Sequence, residues 1–157
     1  MKKFLYFFTL LLCCLLMAKA QNVNIENLKG EKVSFSDVIK GDKPVIVSFW
    51  ATWCKPCLME MDALKELKDE WDGKVRIVSI SIDDSRSKAK VPSFVKGRNL
   101  PFEIYLDTNQ DLYKRLNVQN VPFLFVFHKG KQVYKHSGYS PGDEEYLIEE
   151  ALKYAKK

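Results

Sequence analysis

The chain has 157 residues, of which 46% are hydrophobic, 13% aromatic and 29% charged, with 7 glycines and 6 prolines. These proportions exclude a collagenous, low-complexity or mostly disordered chain, and the length allows one globular domain. The formal charge of +5 falls to +2 once the three lysines of residues 1–20 are set aside, so no basic patch supports nucleic-acid binding.

The first twenty residues read as an export signal. Lys2 and Lys3 form a positive start, Phe4 to Met17 is an apolar run, and Ala18-Lys19-Ala20 places small residues at −3 and −1 of a cleavage site before Gln21. As a helix this run rises about 21 Å, short of the roughly 30 Å hydrocarbon core. Cleavage near Ala20 is therefore favoured over membrane anchoring by residues 4–17. Cys13 and Cys14 follow three leucines, not the small residues of a lipid-attachment site, and read as hydrophobes in a discarded segment. The expected mature chain is one domain, residues 21–157, in the periplasm or another extracytoplasmic compartment.

Strands and helices alternate along that domain. Asn22 to Leu28 and Glu31 to Phe35 read as short extended pieces about Lys29-Gly30, and Ser36 is placed to cap a short helix ending near Gly41. Pro44 to Trp50 is a near-continuous apolar, β-branched run, the pattern of a buried strand. Periodicity predicts one helix over Lys55 to Trp71, and alternation predicts a strand over Val75 to Ile82. Asp83 to Asn99 is polar and basic, with a helical stretch around Ser93 to Lys96; the run Arg86 to Lys90 reads as a solvated face. Glu103 to Leu106 is a brief strand and Asn109 to Leu116 a short helix. Phe123 to Phe127 and Gln132 to His136 read as a hairpin turning at Lys129-Gly130. Asp143 opens a last helix, Glu144 to Tyr154, with acids early and lysines late as the helix dipole favours. The fold class is α/β.

If the signal is removed, two cysteines remain, Cys54 and Cys57. A bridge across two intervening residues closes a very small loop and is a poor staple. Two thiols make half a zinc site, and His128 and His136 lack ligand spacing, so neither metal nor cofactor is expected beyond the redox-active pair itself. Both histidines read as ordinary loop and strand residues. Trp53-Cys54-Lys55-Pro56-Cys57 lies where a buried strand passes into a helix. At the helix start, free N–H groups, the dipole and Lys55 all stabilise a Cys54 thiolate, and Pro56 suits the first turn. Cys54 is thus the expected nucleophile and Cys57 the resolving thiol. Trp50 is expected in the core, with Trp53 a flat docking surface beside the thiols. Leu58 and Met59 are weighed between half-buried packing and contact with apolar substrate segments. At 100° per residue, Glu60 falls within the apolar stripe formed by Met61, Leu64, Leu67 and Trp71, which predicts a buried acid one turn from Cys57 with a raised pKa.

Phe49-Trp50-Ala51-Thr52-Trp53-Cys54-Lys55-Pro56-Cys57 resembles the thioredoxin superfamily, and most closely its exported TlpA/ResA-like branch. That resemblance implies a thioredoxin-like fold, a central mixed β-sheet flanked by helices on both faces, and it casts residues 83–100 as the insertion of this branch. Val121-Pro122 resembles the family's cis-proline segment, which leaves the preceding backbone free to pair with an extended client, and Gly138 resembles the glycine near the same surface. Thioredoxin itself has a buried aspartate where this chain has Ser48, whereas the exported branch often carries a glutamate where Glu60 stands. Phe123, in place of a threonine, implies a more apolar groove.

The resemblance implies an exported thiol–disulfide oxidoreductase acting on disulfide-bearing exported client proteins, apocytochrome c among the candidates, supplied by a membrane-side thiol electron donor; a monomer is expected, with the oligomeric state left open by the sequence. Its expected site comprises Cys54, Cys57 and Glu60 as catalytic groups, with Trp53, Val121 and Pro122 binding substrate. The same pair run as an oxidant remains an alternative, because direction depends on the relative stability of thiolate and disulfide. So does a copper-binding chaperone of the same fold, although its cysteines are usually more widely spaced. A peroxidase reading is weakened by Trp53, since a threonine and proline typically precede a peroxidatic cysteine.

Overall fold

The computed structural model describes residues 23–155, so the expected export signal lies outside it. Its strands are β1 (Asn24–Asn27), β2 (Lys32–Ser34), β3 (Val45–Trp50), β4 (Arg76–Ser81), β5 (Glu103–Leu106), β6 (Phe123–His128) and β7 (Lys131–Ser137). Its helices are α1 (Phe35–Val38), α2 (Lys55–Glu66), α3 (Lys68–Trp71), α4 (Val91–Arg98), α5 (Asp111–Arg115) and α6 (Asp143–Ala155). One mixed sheet runs in the order β2-β1-β5-β4-β3-β6-β7, with β3, β4 and β5 parallel and every other neighbour antiparallel.

All six residues of β3 are buried, as a strand covered on both faces requires. Alternation divides them. Val47 and Phe49 share a face with Phe125, their neighbour on β6. That face is covered by α5, through Tyr113 against Phe49 at 6.1 Å, and by α1, through Phe35 against Phe127 at 5.5 Å. Ser48 and Trp50 point the other way, toward Glu60 of α2 and Phe94 of α4. Helix α6 packs on α2 and α3 on that second face. Helices thus cover both faces of the mixed sheet, as the family resemblance implies.

Three boundaries depart from the sequence pattern. The helix expected over Lys55 to Trp71 is two helices, interrupted at Leu67, whose φ of −85° and ψ of 18° leave the α region. The indole Nε1 of Trp71 donates to the Leu64 carbonyl at 2.8 Å, taking an acceptor that a continuous helix would use internally. The first short helix begins at Phe35, not after Ser36. Ser34 stands at its N-cap position, its hydroxyl 2.8 Å from that of Ser36, and burial of Phe35 against Phe127 sets the start. The helix expected near 93–96 is longer, Val91–Arg98, preceded by a 3-10 turn (Lys88–Lys90) and closed by Asn99 in the left-handed region at φ 52°. Segment 83–100 is thus the crossover joining parallel β4 to β5. In the hairpin, Lys129 and Gly130 both have positive φ, as the expected tight turn demands.

Ile46 is fully buried on the central strand, between β4 and β6. Ile46→Ala should therefore cost about 2–5 kcal/mol of unfolding free energy, read from urea denaturation of the disulfide form.

Candidate functional site

The parallel strands deliver their carboxyl ends to one margin of the sheet, where α/β proteins commonly form their sites. From the end of β3 the chain turns through residues 51–54, held by a bond from the Cys54 N–H to the Ala51 carbonyl at 3.0 Å, and enters α2. Cys54 is the N-cap of that helix, with extended backbone at φ −88° and ψ 95°, and Pro56 lies in the first turn. Its sulfur is bonded to that of Cys57 at 2.00 Å, and it also accepts the Cys57 N–H at 3.3 Å. A helix N-terminus aimed at this sulfur stabilises negative charge on it when the bridge opens. Both cysteines are buried, Cys57 completely.

Glu60 lies one turn beyond Cys57 on α2 and is 2% exposed. Its Oε2 accepts the Ser48 hydroxyl at 3.1 Å. Burial pushes its pKa up to about 8; the Ser48 hydrogen bond pulls the other way, and Asp143 and Glu144 at the start of α6 add to the rise. Glu60 thus lies on the buried side of α2, as its angle within the apolar stripe predicts. Ser48, standing where thioredoxin has its aspartate, is the hydrogen-bond partner of an acid carried on the facing helix.

Trp53 is 65% exposed beside Cys54, Met59 is exposed and Leu58 half-buried, whereas Trp50 is fully buried. The Val121–Pro122 bond is cis. Because Phe123 pairs with Phe49, residues 121 and 122 lie level with the end of β3 from which the Cys54 turn springs. Gly138, at φ 84°, donates its N–H to the Pro122 carbonyl at 2.9 Å. The backbone N–H and carbonyl of Val121 take no partner among the described residues. A cleft of about 390 Å³ separates Trp53 from segment 84–90 and Gln110. The histidines lie elsewhere: His128 stacks on Tyr154 at 5.4 Å, and His136 Nε2 is 3.2 Å from Asp143 Oδ2, a carboxylate near in space but not in sequence.

Sequence reasoning missed Asp83. In the sequence it only begins a polar stretch, yet its side chain is fully buried, with donors from Thr52 and Ser81 on its carboxylate. Its place at the end of an alternating parallel strand, on the margin that carries the cysteines, is the signal that could have found it. Among the described residues no group of His, Cys, Asp and Glu is arranged to hold a metal ion, and no helix is long and apolar enough to cross a membrane.

A thioredoxin-type sheet with a cysteine pair closed at a helix N-terminus defines a thiol–disulfide oxidoreductase. The chain belongs to the AhpC/TSA family, which residues 16–136 match. It is 34% identical over 133 residues to the thiol-disulfide oxidoreductase ResA of Bacillus thuringiensis subsp. konkukian, covering 82% of this chain and 75% of that protein. It is also 34% identical over 109 residues to the thioredoxin-like protein YneN of Bacillus subtilis, covering 69% of this chain and 62% of the relative's own length. Among solved structures, a thioredoxin-like protein of Porphyromonas gingivalis superposes with a TM-score of 0.75 at 36% identity, covering 86% of this chain and 90% of the other.

The raised pKa of Glu60 links folding to pH. The folded protein keeps this proton up to about pH 8, while the unfolded chain releases it near 4.5. The contribution is therefore complete below about pH 4.5 and is lost as pH rises toward 8, at a slope of about 1.4 kcal/mol per unit at most. Glu60→Gln removes that loss. Urea midpoints of the disulfide form should fall more steeply from pH 5 to pH 8 in the wild type than in the variant.

Proposed function

We propose that this protein is an exported reductase of protein disulfides, with Cys54 as the attacking thiolate, Cys57 as the resolving thiol and Glu60 as the acceptor of the Cys57 proton. The observation that carries this reading is the buried carboxyl group of Glu60 one turn from a fully buried Cys57, with Cys54 at the helix N-cap. In the dithiol form, the Cys54 thiolate attacks one sulfur of a client disulfide and releases the other as a client thiolate. Cys57 then gives its proton to Glu60 in its ionised form and attacks the Cys54 sulfur. That step expels the second client thiolate and leaves the Cys54–Cys57 disulfide, so two electrons pass to the client. A general base with a pKa near 8 is well matched to a thiol of ordinary acidity.

The residues around the pair support a protein client. Trp53 offers an exposed flat ring, and the unpaired backbone of Val121 beside Pro122 suits strand-like addition of an extended segment. Export is supported by the charge and hydropathy pattern of residues 1–20. In such a compartment the disulfide must be returned to the dithiol by a thiol donor at the membrane, and an apocytochrome c is one client whose cysteines need this chemistry. Pro56, between the cysteines, resembles the proline of reducing members and favours the reducing direction over the oxidant reading.

Three measurements test the proposal. In redox buffers the Cys54–Cys57 couple should equilibrate near −250 mV or lower; a value near −120 mV would establish an oxidant instead. Cys57→Ser should accumulate mixed disulfides through Cys54, identified by mass spectrometry, and trapping through Cys57 in Cys54→Ser would reverse the roles. In the wild type, resolution of such adducts should accelerate as pH passes about 8. Glu60→Gln should lose that acceleration, with attack by Cys54 little changed.

A further inference from the structure

Asp83 is a fully buried carboxylate, and four hydrogen bonds converge on it and its backbone. The Thr52 N–H reaches Oδ2 at 2.8 Å and the Thr52 hydroxyl reaches Oδ1 at 2.6 Å. The Ser81 hydroxyl also donates to Oδ2 at 2.7 Å and accepts the Asp83 N–H at 3.0 Å. No cation pairs with Asp83 among the described residues. Three N–H and O–H donors on two oxygens are the partner set of a carboxylate used as an acceptor only. Taking such a group out of water is costly, and an apolar side chain could fill the same space.

The position of these bonds suggests a function for it. Thr52 is the second residue of the turn through residues 51–54, and β4 is already stitched to the end of β3 by the Ile82 N–H on the Trp50 carbonyl at 2.8 Å. The side chain of Asp83 carries that attachment two residues further, past the sheet's own hydrogen bonds, to the residue before Trp53. We infer that Asp83 is a positioning residue for the redox pair: by clamping Thr52 through both its backbone and its hydroxyl, it fixes the turn that holds Cys54 against Cys57 and thereby favours the disulfide over the dithiol.

Two effects act in the same direction. A turn that is held rather than loose raises the effective concentration of one thiol at the other, which favours ring closure. A buried carboxylate near the Cys54 turn also opposes negative charge on that sulfur, so it disfavours the thiolate of the reduced form. Both make the couple more reducing. The inference rests on the Cys54–Cys57 couple of the proposed function, and it holds whichever way electrons flow in the cell.

The test is the equilibrium of the full chain with glutathione, comparing variants with wild type. The absolute potential decides between reductase and oxidant, whereas the difference between proteins tests Asp83, so the two readings fail separately. Asp83→Asn keeps the shape but turns an amide NH2 toward a donor, and should shift the equilibrium toward the dithiol by about tenfold, which is about 30 mV for two electrons. Thr52→Val removes only the hydroxyl bond and should shift it in the same direction by about threefold, on the order expected for one hydrogen bond. Thr52→Ser restores the donor and should stay within about twofold of wild type. A purely structural role would lower the urea midpoint of these variants and leave the redox equilibrium unmoved. Ratios within twofold of wild type for both Asp83→Asn and Thr52→Val, or a shift toward the disulfide, would overturn the inference. If Asp83→Asn does not fold, the Thr52→Val and Thr52→Ser pair decides alone.

Discussion

The structure depends on how the chain leaves the central strand. The sheet's hydrogen-bond ladder ends with β3 at Trp50, the helical ladder of α2 begins at Lys55, and the four residues between must be satisfied by other means. The Ala51 carbonyl takes the Cys54 N–H, Asp83 takes the Thr52 N–H, and the Cys54 carbonyl and sulfur take the Leu58 and Cys57 N–H groups. One cysteine thus completes a helix terminus while forming half of a redox bond. The reactive sulfur sits at this junction because the strand behind it is immobilised by burial on both faces and pairing on both sides.

A second consequence follows from the face that Ser48 and Trp50 share. A strand buried on both sides leaves no solvated place for an ionisable group, so any acid near Cys57 must tolerate desolvation. The chain carries that acid on α2, and the β3 position contributes a hydroxyl that can donate to it. Carried on the same helix as Cys57, the carboxyl group keeps a fixed relation to the sulfur one turn away. The neighbouring Asp143 and Glu144, at the start of α6, raise its proton affinity further.

Much of this was legible in the sequence, because the periodicities that specify the elements are local. The strand Glu103–Leu106 and the buried run ending at Trp50 could be placed from pattern alone, as could the last helix to within a residue at each end. Burial of Glu60 followed from its angle on α2. The break at Leu67 did not, since residues 66–71 keep a helical pattern and the interruption reflects an indole reaching back to the Leu64 carbonyl. The contacts of Asp83 left no such signal for a related reason. Its partner Thr52 lies 31 residues away, and only the parallel pairing of β3 with β4 brings them together. What escaped was the set of polar contacts between elements, which leave no period in the chain.

The outer strands carry a consequence of their own. The sheet is open at both margins, and an unpaired strand edge is a template for another chain's backbone. β2 offers three residues, one of them an exposed lysine. β7 is longer, but Lys131 and Lys135 are exposed along it and its pairing with β6 slips between Val126 and Phe127. A shifted register twists a strand away from flatness, and an incoming backbone would have to desolvate the lysines. Among the described residues, both outer strands thus carry features that protect a sheet edge from an incoming backbone.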